Sequence, residues 1–410
     1  MSISHYSYKY GHGSKEFSLE SDRVIKEVTV AKMPLLEDVK AAILDAVYHP
    51  IGSAPINELV KPGQKIAFIC NDPTRVANSF VFMPILVNEM NKLGIKDEDM
   101  HIVFALGTHR NMTHEEMVEA VGAEVAGRLK MYNSDAKVSE DFEYFGDTSR
   151  GTPVWLNKHI CHVDHVIMTG TIVHHYFSGY GGGRKAILPG VAAMETVRVN
   201  HSFMLDPNAG LGKTVGNPVY EDQMEGVAMF AKNHSVFLFN AILNAQHEFL
   251  KIFAGDYVKA HQEACKFVDQ VYGVEIPQAA DLVIASCGGY PKDINVYQLQ
   301  KTMDNAWCAV REGGVVIIIG ECEEGSGSKR HNCIKRQGNS RNYPNGQRRR
   351  RQYHRIQAAV SSDQKNSGQS KKNTDELTPF RQAAVFPGHP QHDKDRRRIL
   401  QHCSSSRIAQ

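Results

Sequence analysis

The fold of this chain is constrained most by three apolar runs. Each run is followed by a polar loop with charged or histidine side chains. The runs are KIAFIC (65–70), HIVFALG (101–107) and HVIMTGTI (165–172). Each has the length and continuous apolar character of a strand that is buried on both faces. Helical patterns occur near 36–47, at 80–93 and from Thr113, where Thr113 and Glu116 form a capping-box pattern. This alternation predicts an α/β fold with a parallel sheet.

A second α/β unit is predicted to begin near Ile276. Its pattern is a strand with a glycine-rich turn at 281–290, a helix at 296–310 and a strand at 313–320. We therefore predict a larger α/β domain over 1–270 and the start of a second α/β domain over 271–324. We expect the active site to lie between these two domains.

From Gly325 onwards the sequence changes character. Residues 325–410 contain 19 basic and 5 acidic residues, whereas the preceding part contains 28 and 40. Gln, Ser, Asn and Arg dominate this tail, and apolar residues are few, which predicts disorder. The abrupt loss of apolar pattern favours a frameshift product over a genuine disordered basic tail. A basic tail would also allow binding to a polyanion, although it lacks the interleaved aromatic residues expected for base stacking.

The sequence lacks the signals that would direct a protein to a membrane or to secretion. No run of about eighteen apolar residues is present to span a membrane, and the first residues have no apolar core of a secretory signal. The eight cysteines are scattered and lie mostly in apolar surroundings, as reduced thiols do. We expect a cytoplasmic protein with no membrane partner.

The loops after the predicted strands carry the candidate functional residues. Asp72 and Arg75 follow the first strand, His109 follows the second and His175 follows the third. The carboxyl ends of parallel strands meet at one edge of the sheet, where ligands bind. Arg75 suits recognition of a carboxylate, and the alternative is a surface ion pair with Asp72. His109, His175 and the later His201 suit either a metal site or a proton shuttle, and the sequence leaves both open.

A glycine-rich segment is the densest group of candidate residues. Gly181, Gly182 and Gly183 precede Arg184 and Lys185 in the stretch HHYFSGYGGGRKAILPG (174–190). Successive glycines allow a backbone to approach a ligand and offer N–H groups to an anion. Their spacing does not match a Walker loop. The alternative interpretation is a flexible turn with a solvated basic pair.

Two further groups of residues have both a functional and a purely structural interpretation. Gln298 and Lys301 lie three residues apart on a predicted helix and share a face, which is either functional or merely exposed. Cys161, His162 and His165 resemble part of a zinc site but lack a second ligand pair, so we expect structural residues there.

Four ordered blocks resemble the nickel-dependent lactate racemase family over about residues 1–324. They are NDPTR (71–75), ALGTHR (105–110), HHYFSGYGGGRKAILPG (174–190) with the His201 that follows, and YPKDINVYQLQK (290–301). The resemblance implies a racemase or epimerase that inverts C2 of a 2-hydroxy acid, either lactate or a larger one. The sequence departs from the family after the CEEG stretch, where the family continues its second domain.

The resemblance also implies a cofactor and a set of residue roles. The cofactor is a nickel-pincer nucleotide, a pyridinium bisthiocarboxylate mononucleotide, which Lys185 would bind covalently while His201 binds the nickel. His109 and His175 would be the paired acid/base residues, and Arg75, Asp72, Gln298 and Lys301 would hold the substrate. Residues 181–183 with Arg184 would hold the cofactor phosphate.

The chemistry that the resemblance implies is proton-coupled hydride transfer. One histidine takes the hydroxyl proton while the cofactor takes the hydride, and the two histidines exchange roles for the opposite enantiomer. Proteins that make and load the cofactor are the implied partners, and nucleic acid is not expected. The alternative functions are an inactive family member that binds nucleotide or metal, and a polyanion-binding protein.

Overall fold

The computed structural model describes residues 2–29, 31–72, 75–244, 246–325 and 383–385. The described residues form two compact units. Among the described residues, the larger unit is Ala31–Gly273, and the smaller unit combines residues 2–29 with 274–325 and 383–385. This division differs from the predicted one, in which residues 1–270 formed a single domain. The predicted basic tail lies outside the described residues, apart from Gly325 and a short strand at 383–385.

The strands of the described residues are, in chain order, β1 (Ile3–Tyr10), β2 (Gly13–Glu20), β3 (Lys26–Val28), β4 (Ile66–Asn71), β5 (Met100–Ala105), β6 (Lys130–Asn133), β7 (Phe142–Asp147), β8 (Pro153–Asn157), β9 (His165–Thr171), β10 (His174–His175), β11 (Ser178–Tyr180), β12 (Gly210–Leu211), β13 (Ser235–Leu243), β14 (Phe249–Asp256), β15 (Ala280–Ser286), β16 (Val310–Ile319) and β17 (Ala383–Val385). The α-helices are α1 (Val39–Tyr48), α2 (Ile56–Leu59), α3 (Ser79–Lys92), α4 (His114–Val121), α5 (Ala123–Ala126), α6 (Lys158–Cys161), α7 (Met194–Ser202), α8 (Pro218–Ala231), α9 (Lys259–Tyr272) and α10 (Val296–Trp307).

The larger unit is built on a six-stranded sheet of order β14-β13-β9-β4-β5-β6. All neighbouring pairs are parallel except β13 with β14, which is antiparallel. Every residue of β9 is buried, and so are five of the six residues of β4. The three predicted strands are thus confirmed as neighbours in a parallel sheet, and their continuous apolar runs reflect cover on both faces.

Helices α1, α3 and α4 pack on this sheet through one continuous apolar core. Phe82 of α3, for example, lies with its ring centroid 5.0 Å from that of Phe239 on β13. The predicted capping box forms at the start of α4, where Thr113 accepts a hydrogen bond from the Glu116 N–H and Glu116 accepts one from the Thr113 N–H. These helices confirm the predicted strand–loop–helix alternation.

The smaller unit contains a four-stranded sheet of order β16-β15-β17-β3, in which β15 and β16 are parallel. The predicted strand, helix and strand of this region are confirmed as β15, α10 and β16. The amino-terminal residues join it because β3 pairs with β17 and because the buried Asp293 accepts hydrogen bonds from the N–H groups of Gly11 and Glu321. The boundary between the two units is therefore set by hydrogen bonds between distant segments of the chain. A local sequence pattern does not reveal such contacts.

Within residues 2–325, apart from the gaps given above, no helix is both long enough and apolar enough to cross a membrane.

Candidate active site

Three neighbouring strands of the larger unit deliver their carboxyl ends to one edge of the sheet. Asp72 and Arg75 follow β4, His109 follows β5, and His175 lies on the short strand β10 directly after β9. The loop after β5 is tied to the glycine-rich segment, because the Gly107 N–H donates to the carbonyl oxygen of Gly190 at 2.9 Å. The sheet thus gathers side chains that lie far apart in the sequence.

His109 is held by a buried carboxylate. Its Nδ1 lies 2.9 Å from Oδ2 of Asp72, whose side chain is only 4% exposed, whereas that of His109 is 45% exposed. A carboxylate only accepts hydrogen bonds, so Nδ1 carries the hydrogen and Nε2 of the neutral ring keeps its lone pair. His109 is therefore oriented with a basic nitrogen free of this contact and with access to solvent.

His175 lies in a cationic environment of the same unit. Burial lowers the pKa of His175 well below its usual range, and the neighbouring charges of Lys185, Arg75 and Arg184 lower it further. The Ser178 N–H donates to Nδ1 of His175 at 3.3 Å. The ring is consequently neutral near neutral pH.

Lys185 is buried in a 3-10 turn that spans Gly183–Ala186. Burial lowers the pKa of its amine well below the usual range, and the nearby Arg75 and Arg184 lower it further. A lowered pKa makes the neutral form of the amine, which is the nucleophilic form, easier to reach than in an exposed lysine.

His201 occupies the last turn of α7. Burial first, and then the charge of Lys185, lower the pKa of His201 to about 4. Its Nδ1 is buried and makes no hydrogen bond of standard geometry among the described residues, and a weaker backbone interaction with Val197 partly offsets the lowered pKa. A neutral imidazole is a suitable ligand for a transition metal.

The ring of Phe177 lies at the centre of three of these side chains. Its centroid is 4.5 Å from that of His175 and 5.1 Å from that of His201, and Lys185 Nζ is 5.6 Å away. The structure therefore brings His175, Lys185 and His201 together around one aromatic side chain. Phe177 was missed in the sequence analysis, although it lies inside the glycine-rich block.

The glycine-rich segment is packed inside the protein, and its role in holding the cofactor phosphate stays a prediction. The N–H groups of Gly181 and Gly183 donate to the Val173 carbonyl oxygen at 2.7 Å and to Oδ1 of Asn240 at 2.8 Å. A Cβ at Gly183 would lie 2.5 Å from the ring of His261. These glycines are needed for close packing inside the protein, and two of their three N–H groups are already used.

Arg184 is buried beside this segment, and its predicted role in cofactor binding also stays a prediction. It is 1% exposed, so the pair with Lys185 is buried rather than solvated. Its Nη2 donates to the carbonyl oxygen and Oγ of Ser178, and its guanidinium lies 3.8 Å from the ring centroid of Tyr220. Burial lowers the pKa of Arg184 to about 10. Arg184 therefore acts as an internal brace of the segment that carries Lys185.

Gln298 and Lys301, the other predicted substrate-binding residues, lie on α10 of the smaller unit. The Gln298 N–H donates to Oδ1 of Asn295, which caps this helix at 3.0 Å. Lys301 is exposed. Their roles stay predictions.

The suspected zinc ligands make separate contacts. Cys161 donates to the Asn157 carbonyl oxygen, Nε2 of His162 lies 2.6 Å from Glu143, and Nε2 of His165 lies 2.9 Å from Oε1 of Gln64. Among the described residues, no three His, Cys, Asp or Glu side chains are grouped as a ligand set. A metal held at His201 would therefore need most of its ligands from a bound group.

Two protein-family models match this chain. Residues 10–212 match the lactate racemase N-terminal domain, and residues 276–356 match the lactate racemase C-terminal domain. The second match extends past residue 325, where the composition changes.

Individual relatives agree with these matches. The lactate racemase of Thermoanaerobacterium thermosaccharolyticum is 32% identical over 324 residues, which is 78% of this chain and 75% of that protein. The lactate racemase of Lactiplantibacillus plantarum is 32% identical over 283 residues, which is 68% of this chain and 66% of that protein.

Solved structures show the same likeness. The lactate racemase apoprotein of Thermoanaerobacterium thermosaccharolyticum superposes with a TM-score of 0.71 at 31% identity, over 80% of this chain and 76% of that chain. A Thermotoga maritima protein with a TM-score of 0.56 at 21% identity, over 68% of this chain and 70% of that chain, shares the fold.

Proposed function

Since this chain belongs to the lactate racemase family and is therefore an isomerase, we propose that it inverts C2 of a 2-hydroxy acid, with lactate as the first candidate substrate. The family and the α/β fold class predicted from the sequence are confirmed. The observation that carries the proposal is the grouping of His175, Lys185 and His201 around Phe177. His109, held by Asp72, follows a strand that ends at the same edge of the sheet. Inversion needs a group that exchanges protons on each side of the reacting carbon.

The residues present fit a nickel-pincer nucleotide, and we propose it as the cofactor. Lys185 would hold it covalently, because burial lowers the pKa of its amine and so favours the neutral, nucleophilic form. His201 would bind the nickel through a neutral nitrogen, and the absence of a three-residue ligand set in the described part of the chain is consistent with a metal that is held mostly by an organic ligand. When bound, this group supplies the acceptor and donor of hydride.

The protein's own residues would move the proton of the substrate hydroxyl. His109 would accept it at Nε2, because Asp72 holds the hydrogen on Nδ1. On the other side, the product hydroxyl would take its proton from the imidazolium form of His175. The pair would thus carry one extra proton, which changes residue with each inversion, so the two residues would reverse roles for the opposite enantiomer. Arg75, whose charge acts on His175, Lys185 and His201, would bind the carboxylate.

A racemisation assay tests the proposal. The full chain, co-expressed with cofactor-loading proteins, should convert each enantiomer of lactate to the racemate, followed by circular dichroism. Hydroxy acids of increasing size would show whether a larger substrate is preferred. A loaded protein that inverts none of them would support the inactive-member alternative and contradict the proposal.

Replacing Asp72 with asparagine should lower kcat by about 10–100-fold while leaving the fold intact. The amide removes the carboxylate that selects the Nδ1–H tautomer of His109 and allows the ring to turn. We expect a larger effect on kcat than on KM, measured by initial rates for both enantiomers.

Asp45→Asn is the matched control for this variant. Asp45 also lies 2.9 Å from Nδ1 of a histidine, His49, but both side chains are exposed on α1. This control should retain wild-type kinetics. Equal rates for Asp72→Asn and the wild type would remove the proposed role of Asp72.

A further inference from the structure

A chain of buried side chains links a guanidinium to a carboxylate inside the larger unit. Its members are each at most 1% exposed, and they are Arg184, Ser178, Gln223, Asn200 and Asp222. Arg184 Nη2 donates to Ser178 Oγ at 2.8 Å, and Ser178 Oγ donates to Gln223 Oε1 at 2.9 Å. Gln223 Nε2 donates to Asn200 Oδ1 at 3.0 Å, and Asn200 Nδ2 donates to Asp222 Oδ2 at 2.8 Å. We call this set the polar chain.

Every bond of the polar chain is donated in the same direction, from the cation towards the anion. Each of the two amides uses its carbonyl oxygen on one side and its NH₂ group on the other. Bonds aligned in this way polarise one another, so the loss of one link weakens the others. The carboxylate of Asp222 also accepts hydrogen bonds from the hydroxyl groups of Thr148 and Thr152. Its buried charge is therefore stabilised by hydrogen bonds and not by a direct ion pair.

The position of the polar chain connects it to the candidate site. Arg184 directly precedes Lys185 in the 3-10 turn, and Asn200 directly precedes His201 on α7. Arg184 is further fixed by its contact with Tyr220. Gln223, on α8, is the central member of the polar chain and bonds to Ser178 on one side and Asn200 on the other.

Stability alone is a weak reason for this arrangement. Burying a cation and an anion costs free energy, and well-packed apolar residues of similar volume are often equally stable or better. What hydrogen bonds add over apolar contacts is directional restraint, because each fixes both a distance and an angle.

We propose that the polar chain, through Gln223 and Asn200, is the device that fixes His201 relative to Lys185 so that both engage one bound ligand. Gln223 and Asn200 are thus positioning residues. This inference rests on the proposed function, in which Lys185 carries the cofactor and His201 binds its nickel.

Gln223→Met is the primary test, because it keeps a similar volume and removes both bonds at the centre of the polar chain. The full-length protein is loaded by co-expression. Intact mass should show the same adduct on Lys185 as the wild type. After a challenge with EDTA, nickel measured by plasma mass spectrometry should be lost about 10–100-fold faster, because His201 is no longer held in register.

An apoprotein measurement supports the same test without the cofactor. Hydrogen exchange should rise together in peptides covering 178–188 and 194–202, while peptides of β4 and β9 stay unchanged. Ser178→Ala removes the two bonds of Ser178 Oγ but leaves the Gln223–Asn200 bond and the Arg184 bond to the Ser178 carbonyl oxygen, so it should shift both readouts in the same direction but less. It also serves as the test if Gln223→Met does not fold.

Thr169→Val is the matched control, since Thr169 is buried and its Oγ1 donates to the Ile69 carbonyl oxygen outside the polar chain. It should retain nickel as the wild type does. Folded variants of the polar chain that retain nickel at the wild-type rate would overturn the inference while leaving the proposed function intact. A wild-type protein without any adduct on Lys185 would overturn both.

Discussion

Replacing His175 or His109 with glutamine is expected to lower kcat by about 10²–10⁴-fold, the usual contribution of a general acid or base. In each variant the rate of racemisation should fall from either enantiomer, because inversion requires proton transfer at both imidazoles. KM should change less than kcat, since glutamine can still form a hydrogen bond to the substrate hydroxyl. Initial rates from each enantiomer, followed by circular dichroism, measure the effect.

Loading must be checked in the same samples. Nickel content and the Lys185 adduct should match the wild type, because neither His109 nor His175 is proposed to hold the cofactor. His162→Gln is the control, since His162 is exposed and paired with Glu143. Turnover of a loaded His109→Gln or His175→Gln variant at the wild-type rate would rule out the two-histidine assignment.

Lys185→Met is expected to abolish the covalent adduct and, with it, racemisation. The same change should stabilise the apoprotein near neutral pH. Burial lowers the pKa of the amine in the folded protein, whereas the unfolded chain protonates it below about 10.5. The unfolded state therefore binds more protons in this range, so the free energy of unfolding of the wild type rises with pH up to that value.

Melting temperatures between pH 7 and pH 10 measure this second effect. The melting temperature of Lys185→Met should exceed that of the wild type at pH 7, by about 2–4 °C for each kcal/mol of relieved penalty. The difference should shrink as the pH approaches 10. Lys232→Met removes an exposed lysine after α8 and should show no such trend.

An adduct that persists in Lys185→Met would place the covalent bond elsewhere. A melting temperature equal to that of the wild type at every pH would show that the amine is not held neutral by burial.

The sequence by itself determined the sheet and the loops that carry the site. Strands β4, β5 and β9 were predicted within two residues at each end, because a run of apolar residues of strand length followed by polar residues is a local signal. Asp72, Arg75, His109 and His175 then followed from a general rule about the edge of a parallel sheet. The family blocks supplied the roles.

Part of what was missed left a trace in the sequence. Six of the eight buried positions of α8 are 219, 222, 223, 226, 227 and 230, which is the spacing of a helix face turned to the core. Asp222 and Gln223 lie on that face, and polar residues within an apolar stripe need buried partners. The spacing marks them as bonded, but it does not name Asn200 or Ser178 as the partners.

Only the tertiary structure decided which distant residues meet and which are removed from water. Asp72 and His109 are 37 residues apart, and their bond depends on the pairing of β4 with β5. The burial of Arg184 and Lys185, the packing of Gly183 against His261 and the joining of β3 to the smaller unit depend equally on chain segments far away. Desolvation and close approach are properties of the folded surroundings, so a pattern of neighbouring residues names the side chains but not their charge states or partners.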